Sequence, residues 1–553
     1  MTTTELGELR ETPDIHGAYP RLSDAQISQL ALRGRRRPTR EGEVLYQAGD
    51  VIRELIVVLS GLVAVVDPNR PDVPIAVHGP GRFVGELGLL TGQAALLTPV
   101  VRQAGEVLEV AVDDLREVAL DDPELADTVL RALLIRRSLH IDLGAGLRVL
   151  GSRFSPDARR LRDFLARNRV PHKWIDLEED REAEAMLREL GVTPEETPVV
   201  IWRGHQVLRN PGNAELAQLL GLRHEPTPEG VCDLLIVGAG PAGLAAAVYG
   251  ASEGLATVVI DAIAPGGQAA TSSRIENYLG FPAGISGAEL ADRAVVQARK
   301  FGAHISVPAA AVSLAIADGR HVVSVDSQEE LGAHVVLVAT GAQYRQLEVP
   351  GAEVLAGSIY YAATQMEASL CRNDPVVVVG GGNSAGQAAI FLSEHASAVH
   401  LVVRNPVLDQ DMSRYLADRI LRSPLIEVHL STEVRELVGK RQLELVIVEK
   451  LDTGDRMELE ARSLFVFIGS EPHVQWLGDC VALDEDGFIL TGWDAAKRTG
   501  DQPAESPPLL LETTRRGLFA AGDVRSGSVK RVAAAVGEGS LAVRLVHERL
   551  RSG

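Results

Sequence analysis

Two glycine-rich runs, each set between an apolar strand and a small-residue helix, constrain this chain more than any other feature. In CDLLIVGAGPAGLAAAVYG, Gly238, Gly240 and Gly243 stand in GxGxxG spacing around Pro241 and Ala242. Glycines there let the backbone turn tightly and approach a pyrophosphate, while the following helix offers free amides and the positive end of its dipole. Asp261 closes the next strand, TVVID, 23 residues after Gly238. A carboxylate at that point suits a ribose 2′-hydroxyl, so the motif fits FAD or NAD and disfavours NADP. The second run, PVVVVGGGNSAGQAAIFL, carries Gly380 and Gly382, then Asn383 and Ser384, with Ala385 in the third small position. The same count from Gly380 reaches Val403, with Arg404 beside it. With a cation and no acid at that end of the strand, we expect NADPH rather than NADH.

Two dinucleotide folds in one chain suggest a bound flavin and a diffusing nicotinamide. Other segments agree: HVVLVATGA, PGGQAATSSRIENYLGFP, RGLFAAGDV and GDVRSGSVKRVAAAVGEG. Together these motifs resemble the pyridine-nucleotide–disulfide oxidoreductases, and in detail the low-molecular-weight thioredoxin reductases, over about 320 residues. The resemblance implies FAD contacts from Gly266, Gly267, Gln268, Asn277, Thr340, Gly341, Gly522, Asp523, Arg531, Val532 and Ala533, and an NADPH contact from Gly469. It also implies a split FAD-binding domain, 231–345 with 480–553, around an NADPH-binding domain at 346–479.

In that family a redox CATC precedes the second fingerprint. Here IYYAATQM puts Ala362 and Gln365 where the two cysteines belong. The chain has three cysteines, Cys232, Cys371 and Cys480, with no CxxC and no zinc-ligand spacing, so neither a local dithiol nor a metal site is expected. Cys371, six residues past Gln365, is the one thiol to test as a substitute.

Ahead of the flavoprotein motifs, residues 21–120 alternate β-rich runs with Gly/Pro/Asp turns, as in a small antiparallel barrel or jelly roll, and helical patterning follows to His140. REGEVLYQAGD, LSGLVAVV and FVGELGLLTG resemble the cyclic-nucleotide-binding domain, here 21–145. That resemblance implies a nucleotide site at Gly85, Glu86 and Leu87, but Ala95 occupies the place of the phosphate-pairing arginine. Without that cation a buried phosphate is poorly compensated, so the expectation leans to a structural or dimerising domain over a cyclic-nucleotide sensor. Residues 146–223 read as βαβ…βα, similar to a thioredoxin or glutaredoxin fold, with Thr197-Pro198 at the family's cis-proline. Its CPYC position reads SPDA, Ser155 to Ala158, so this domain cannot exchange disulfides with its own groups. A Pro-rich linker, 224–230, follows, and residues 1–20 are expected to be a disordered tail.

The expected fold class is therefore multidomain: a jelly-roll barrel, an α/β thioredoxin-like module and two Rossmann-like domains. A net charge of −20 argues against general nucleic-acid binding. The basic run RGRRRPTR, 33–40, is expected to be a solvated turn, with a phosphate-binding arm as the alternative. No apolar run reaches membrane-spanning length, so no membrane partner is expected and the location is taken as cytoplasmic. The functional expectation is an NADPH-dependent flavoprotein with an unidentified acceptor (oxygen, a quinone or a partner disulfide), homodimeric by family analogy. The alternatives are a thioredoxin reductase with a non-standard thiol and a non-catalytic nucleotide or redox sensor.

Overall fold

The computed structural model describes residues 10–222, 231–498 and 508–552, apart from residues 190, 204, 273, 318, 327, 328, 362, 364 and 441. The linker 224–230 lies outside the described residues. Two compact units result, one N-terminal and one C-terminal to it.

In the N-terminal unit, strands Arg35–Pro38, Thr98–Ala111, Glu54–Asp67 and Arg70–His78 pair in that order, all antiparallel, and Phe83–Val84 adds to Glu54–Asp67. Two of these strands run 14 residues and shift register midway. The shift requires glycine. At Gly61, with φ +84°, an added Cβ would lie 2.4 Å from the Gln103 carbonyl oxygen. The helical stretch after the barrel divides into Val112–Asp121 and Pro123–Leu143. Pro123 cannot donate to the preceding turn, and Asp122 caps the new helix by accepting from Leu125 N. The expected tail is described from residue 10, and there it packs rather than frays. Ala18 and Tyr19 are buried, Thr12 N donates to Val77 O, and the Arg136 side chain donates to Ala18 O.

The second part of this unit is a four-stranded sheet, ordered His172–Asp176, Leu147–Gly151, Val199–Trp202, Gln206–Arg209, with the first pair parallel and the others antiparallel. Helices Pro156–Arg167, Arg181–Glu189 and Asn213–Leu219 connect it. The Thr197–Pro198 bond is cis. The barrel and this sheet do not have separate cores. Val63, Leu97 and Val101 of the first pack in one cluster with Leu147, Phe164 and Trp202 of the second.

The C-terminal unit holds both nucleotide folds. Strand Cys232–Val237 runs parallel between Thr257–Ile260 and Glu330–Val338, and Leu518–Ala520 joins the far side. The inserted domain has a five-stranded parallel sheet, ordered Ile359–Tyr360, Ser463–Val466, Pro375–Val379, Ala398–Val402, Ile426–His429. Its central strand is continuously apolar because both faces are covered: Val376 and Val378 face the helices, and Val377 and Val379 face an antiparallel sheet of Thr432–Gly439, Leu443–Lys450 and Arg456–Glu460. A two-stranded ribbon, Ala342–Tyr344 against Ser470–Pro472, carries the chain out and back. Trp476 and Leu477 already lie in the first domain's core, so the return comes before the expected residue 480. Among the described residues no helix is long and apolar enough to cross a membrane.

Candidate active site

The first glycine loop is held by contacts only glycine allows. Gly238 has φ +110°, and a Cβ there would sit 2.2 Å from Ala339 O. A Cβ on Gly243 would sit 1.8 Å from Gly238 O. Gly240 differs: its nearest neighbour would be Gly267 Cα at 4.0 Å. The loop thus leaves room at Gly240, the N-cap of helix Pro241–Ser252, whose first turn includes Ala242. Asp261 stands at the end of the neighbouring strand. Its carboxylate accepts from Ala239 N at 2.8 Å and from Ile263 N and Ala264 N, so it is fixed against the loop.

Three further segments meet this loop. Gly266 N donates to Ala239 O, and Gly267 packs on Gly240. Gln268 Nε2 donates to Ala342 O at 3.2 Å, beside Thr340 and Gly341, while Gln268 Oε1 is buried with no hydrogen-bond partner among the described residues. A buried carbonyl oxygen without a partner calls for a donor, which a flavin ring supplies. Gly522 packs against Ala242, and Asp523 follows it, with burial pushing its carboxyl above the ordinary range. Arg531 is the N-cap of helix Val532–Arg551, which also holds Ala533. Asn277, by contrast, is exposed. The sequence reading missed Glu538. Its carboxylate accepts from Gly522 N at 2.7 Å and pairs with Arg525 at 2.5 Å, holding the Gly522–Asp523 turn. A lone acid inside the small-residue run VAAAVGEG was the available signal.

The second loop repeats the design. A Cβ on Gly380, with φ +144°, would meet Phe467 O at 2.4 Å, whereas Gly382 faces open space. Asn383 starts the helix, and its Oδ1 accepts from Ser413 N at 2.7 Å. Ser384 is exposed and Ala385 buried. Arg404 is exposed, two residues past the end of strand Ala398–Val402. Gly469, with φ +102°, also faces open space, next to the ribbon.

At the expected redox segment, Ala362 lies outside the described residues. Gln365 begins helix Gln365–Leu370. All three cysteines are free. Burial pushes the Cys232 thiol up to about 12 and the Cys371 thiol up to about 11. Cys371 is fully buried in the nucleotide-domain core, beside Ala368 and Val376.

In the barrel, Gly85, Glu86 and Leu87 are all buried. The Glu86 carboxylate accepts from Leu96 N and Leu97 N at 3.0–3.2 Å, and the adjacent Ala95 is wholly buried.

Comparison with known proteins agrees with this geometry. The pyridine nucleotide-disulphide oxidoreductase family matches residues 232–539, and the cyclic nucleotide-binding domain matches residues 36–122. The 34.2 kDa protein in the rubredoxin operon of Clostridium pasteurianum is 32% identical over 316 residues, 57% of this chain and 96% of its own length. The thioredoxin reductase of Pneumocystis carinii is 34% identical over 327 residues, 57% of this chain and 95% of its own. The crystal structure of Lactococcus lactis thioredoxin reductase (FR conformation) superposes with a TM-score of 0.53 at 26% identity, covering 58% of this chain and 100% of that one. The chain therefore belongs to the pyridine nucleotide-disulphide oxidoreductases, as an NADPH-dependent flavoprotein oxidoreductase of thioredoxin-reductase type with a cyclic nucleotide-binding domain toward its N-terminus.

Proposed function

We propose that this enzyme delivers electrons from NADPH to an acceptor outside its own chain without using a dithiol of its own. FAD, when bound, supplies the hydride-accepting and electron-releasing chemistry. The chain's own part is binding and orientation. The open face at Gly240 and the amides of the helix after it would hold the pyrophosphate, and Asp261 a ribose hydroxyl. Gln268 Oε1 would accept from the ring, and Asp523 would bond the ribityl chain. Gly382, Asn383, Ser384 and Arg404 would hold NADPH. The observation that carries the reading is the thiol inventory: Ala362 and Gln365 stand at the redox pair, and the buried cysteines have thiols held far above neutral pH. Burial of Cys371 also argues against the competing reading, a reductase working through a non-standard thiol. The acceptor is then oxygen, a quinone, or a partner disulfide that reaches the flavin directly. Anaerobic mixing with NADPH should bleach the flavin within the instrument's time range, and an acceptor screen should then reoxidise it. A flavin that NADPH leaves oxidised refutes the proposal.

We infer further that the barrel is a fixed platform rather than a cyclic-nucleotide sensor, and that the following module is thioredoxin-like without redox capacity. Glu86 is satisfied by its own loop, and that loop is covered. Ala94 N donates to Leu220 O at 3.1 Å, a Cβ on Gly221 would lie 3.1 Å from Ala94 N, and Arg203 fills the space beside Gly49. The SPDA segment caps a helix, with Ser155 Oγ accepting from Ala158 N. Calorimetric titration with cyclic AMP and cyclic GMP should give no saturable heat. A saturable isotherm would overturn this reading.

A further inference from the structure

Strands Ala398–Val402 and Ile426–His429 lie side by side in the nucleotide domain, parallel, with His400 opposite Glu427 and Val402 opposite His429. Residues two apart on a strand share a face, so Glu427 and His429 point the same way, and the pairing brings His400 to them. That is the face of Val402, toward the antiparallel sheet. There His400 Nδ1 lies 3.2 Å from His429 Nε2 and 3.3 Å from Glu427 Oε2, and His429 Nε2 lies 3.8 Å from Glu427 Oε1. Three ligand atoms on a tetrahedral zinc ion, at bonds of 2.0–2.1 Å, stand roughly 3.3 Å apart. The separation of the two ring nitrogens matches that spacing, and both Glu427 oxygens stand close by, so a small turn of the exposed carboxylate would bring one of them to the same distance from each imidazole. Two imidazoles and a carboxylate are also a donor set that suits zinc and its neighbours among the divalent transition metals.

We propose that His400, Glu427 and His429 form a divalent transition-metal site of the zinc class. The two histidine side chains are 17% and 8% exposed, and the glutamate is 66% exposed. The ion would therefore be held from below by the imidazoles and reached from solvent past Glu427, which leaves a fourth position for water. Lys450, at the end of Leu443–Lys450, also acts electrostatically on His429, and its positive charge sets a limit on affinity. Strand Ile426–His429 is the edge of its sheet. A metal bridging it to Ala398–Val402 would staple that edge down, which gives the site a structural role distinct from flavin chemistry. Sequence spacing did not reveal it because the two histidines are 29 residues apart and meet only through strand pairing.

The test uses the flavin-loaded full chain, stripped with a chelator and dialysed against micromolar zinc chloride. Bound metal is read by elemental analysis and stability by thermal melting. We expect about one zinc per chain and a higher melting temperature with zinc. Glu427→Gln, an exposed change that spares the fold, and His400→Ala should weaken binding at least about tenfold and abolish the shift. His205→Ala, an exposed histidine in the other unit, should change neither. If Glu427→Gln and His400→Ala hold as much zinc as the parent, or the parent binds none, the site is a polar cluster and the proposal falls.

Discussion

Gly240 and Gly243 stand three residues apart, one capping a helix and the other in its first turn, yet an added methyl group would meet different surroundings at each. At Gly243 it would be driven to 1.8 Å from a backbone oxygen that cannot move without moving the strand. Gly243→Ala should therefore destabilise the flavin domain by about 3 kcal/mol or more, seen as a lower denaturation midpoint even without cofactor. At Gly240 the φ of −71° is ordinary and the nearest atom is 4.0 Å away, so Gly240→Ala should fold normally. Its methyl group would occupy the space proposed for the pyrophosphate. Flavin affinity should fall about tenfold, roughly 1.4 kcal/mol, with the melting curve of the apoprotein unchanged. Equal flavin retention in both variants would contradict this division of labour. These positions were legible in the sequence because glycine spacing between a strand and a helix is a local pattern. Glu538 was not, since its partners Gly522 and Arg525 reach it only through the packing of the last helix.

At the scale of elements, the basic run shows how a local reading goes wrong. RGRRRPTR was expected to be a solvated turn, because it is short and breaks at Pro38. It forms instead the edge strand Arg35–Pro38 against Thr98–Ala111, with Pro38 at its end. Three of its arginines, Arg33, Arg35 and Arg37, are used in internal ion pairs. Glu109, 6% exposed, takes Arg37 at 2.6 Å and Arg35 at 2.7 Å, Glu43 takes Arg37 at 2.5 Å, and Arg33 pairs with Glu117. Glu43 lies six residues from Arg37, but Glu109 and Glu117 lie 72 or more residues from their partners, so no window of sequence shows most of the neutralisation. Burial pushes the Glu109 carboxyl up, but hydrogen bonds from Arg37 and Arg35 outweigh it and hold the group below its ordinary value. An acid held low stabilises the fold above its ordinary value and loses that contribution as pH falls through the lowered one. Glu109→Gln should therefore cost about 1–3 kcal/mol near neutral pH. The deficit should vanish in acid, where both proteins carry an uncharged group. A pH-independent difference in denaturation midpoints would show that shape, not charge, holds the edge.

Across the whole molecule, the two nucleotide folds were readable because each is a contiguous strand–loop–helix unit, and the inserted order follows from which motif comes first. The common core of the barrel and the module after it was not, because Leu97 and Phe164 meet only once both sheets exist. The decisive whole-molecule question is where two electrons reside after NADPH reduction. A reductase with an active dithiol gains two titratable thiols per chain when reduced, because a disulfide opens. This chain should gain none. In denaturant its three cysteines should all react with a thiol reagent. In the native protein near neutral pH only Cys480, which is partly exposed, should react. Cys232 and Cys371 are shielded, and their thiols ionise only near pH 12 and 11. Adding NADPH anaerobically should bleach the flavin and leave both counts unchanged. A rise of two thiols on reduction would mean that the cysteines rearrange into a working pair, and the proposal of a thiol-free electron exit would then be wrong.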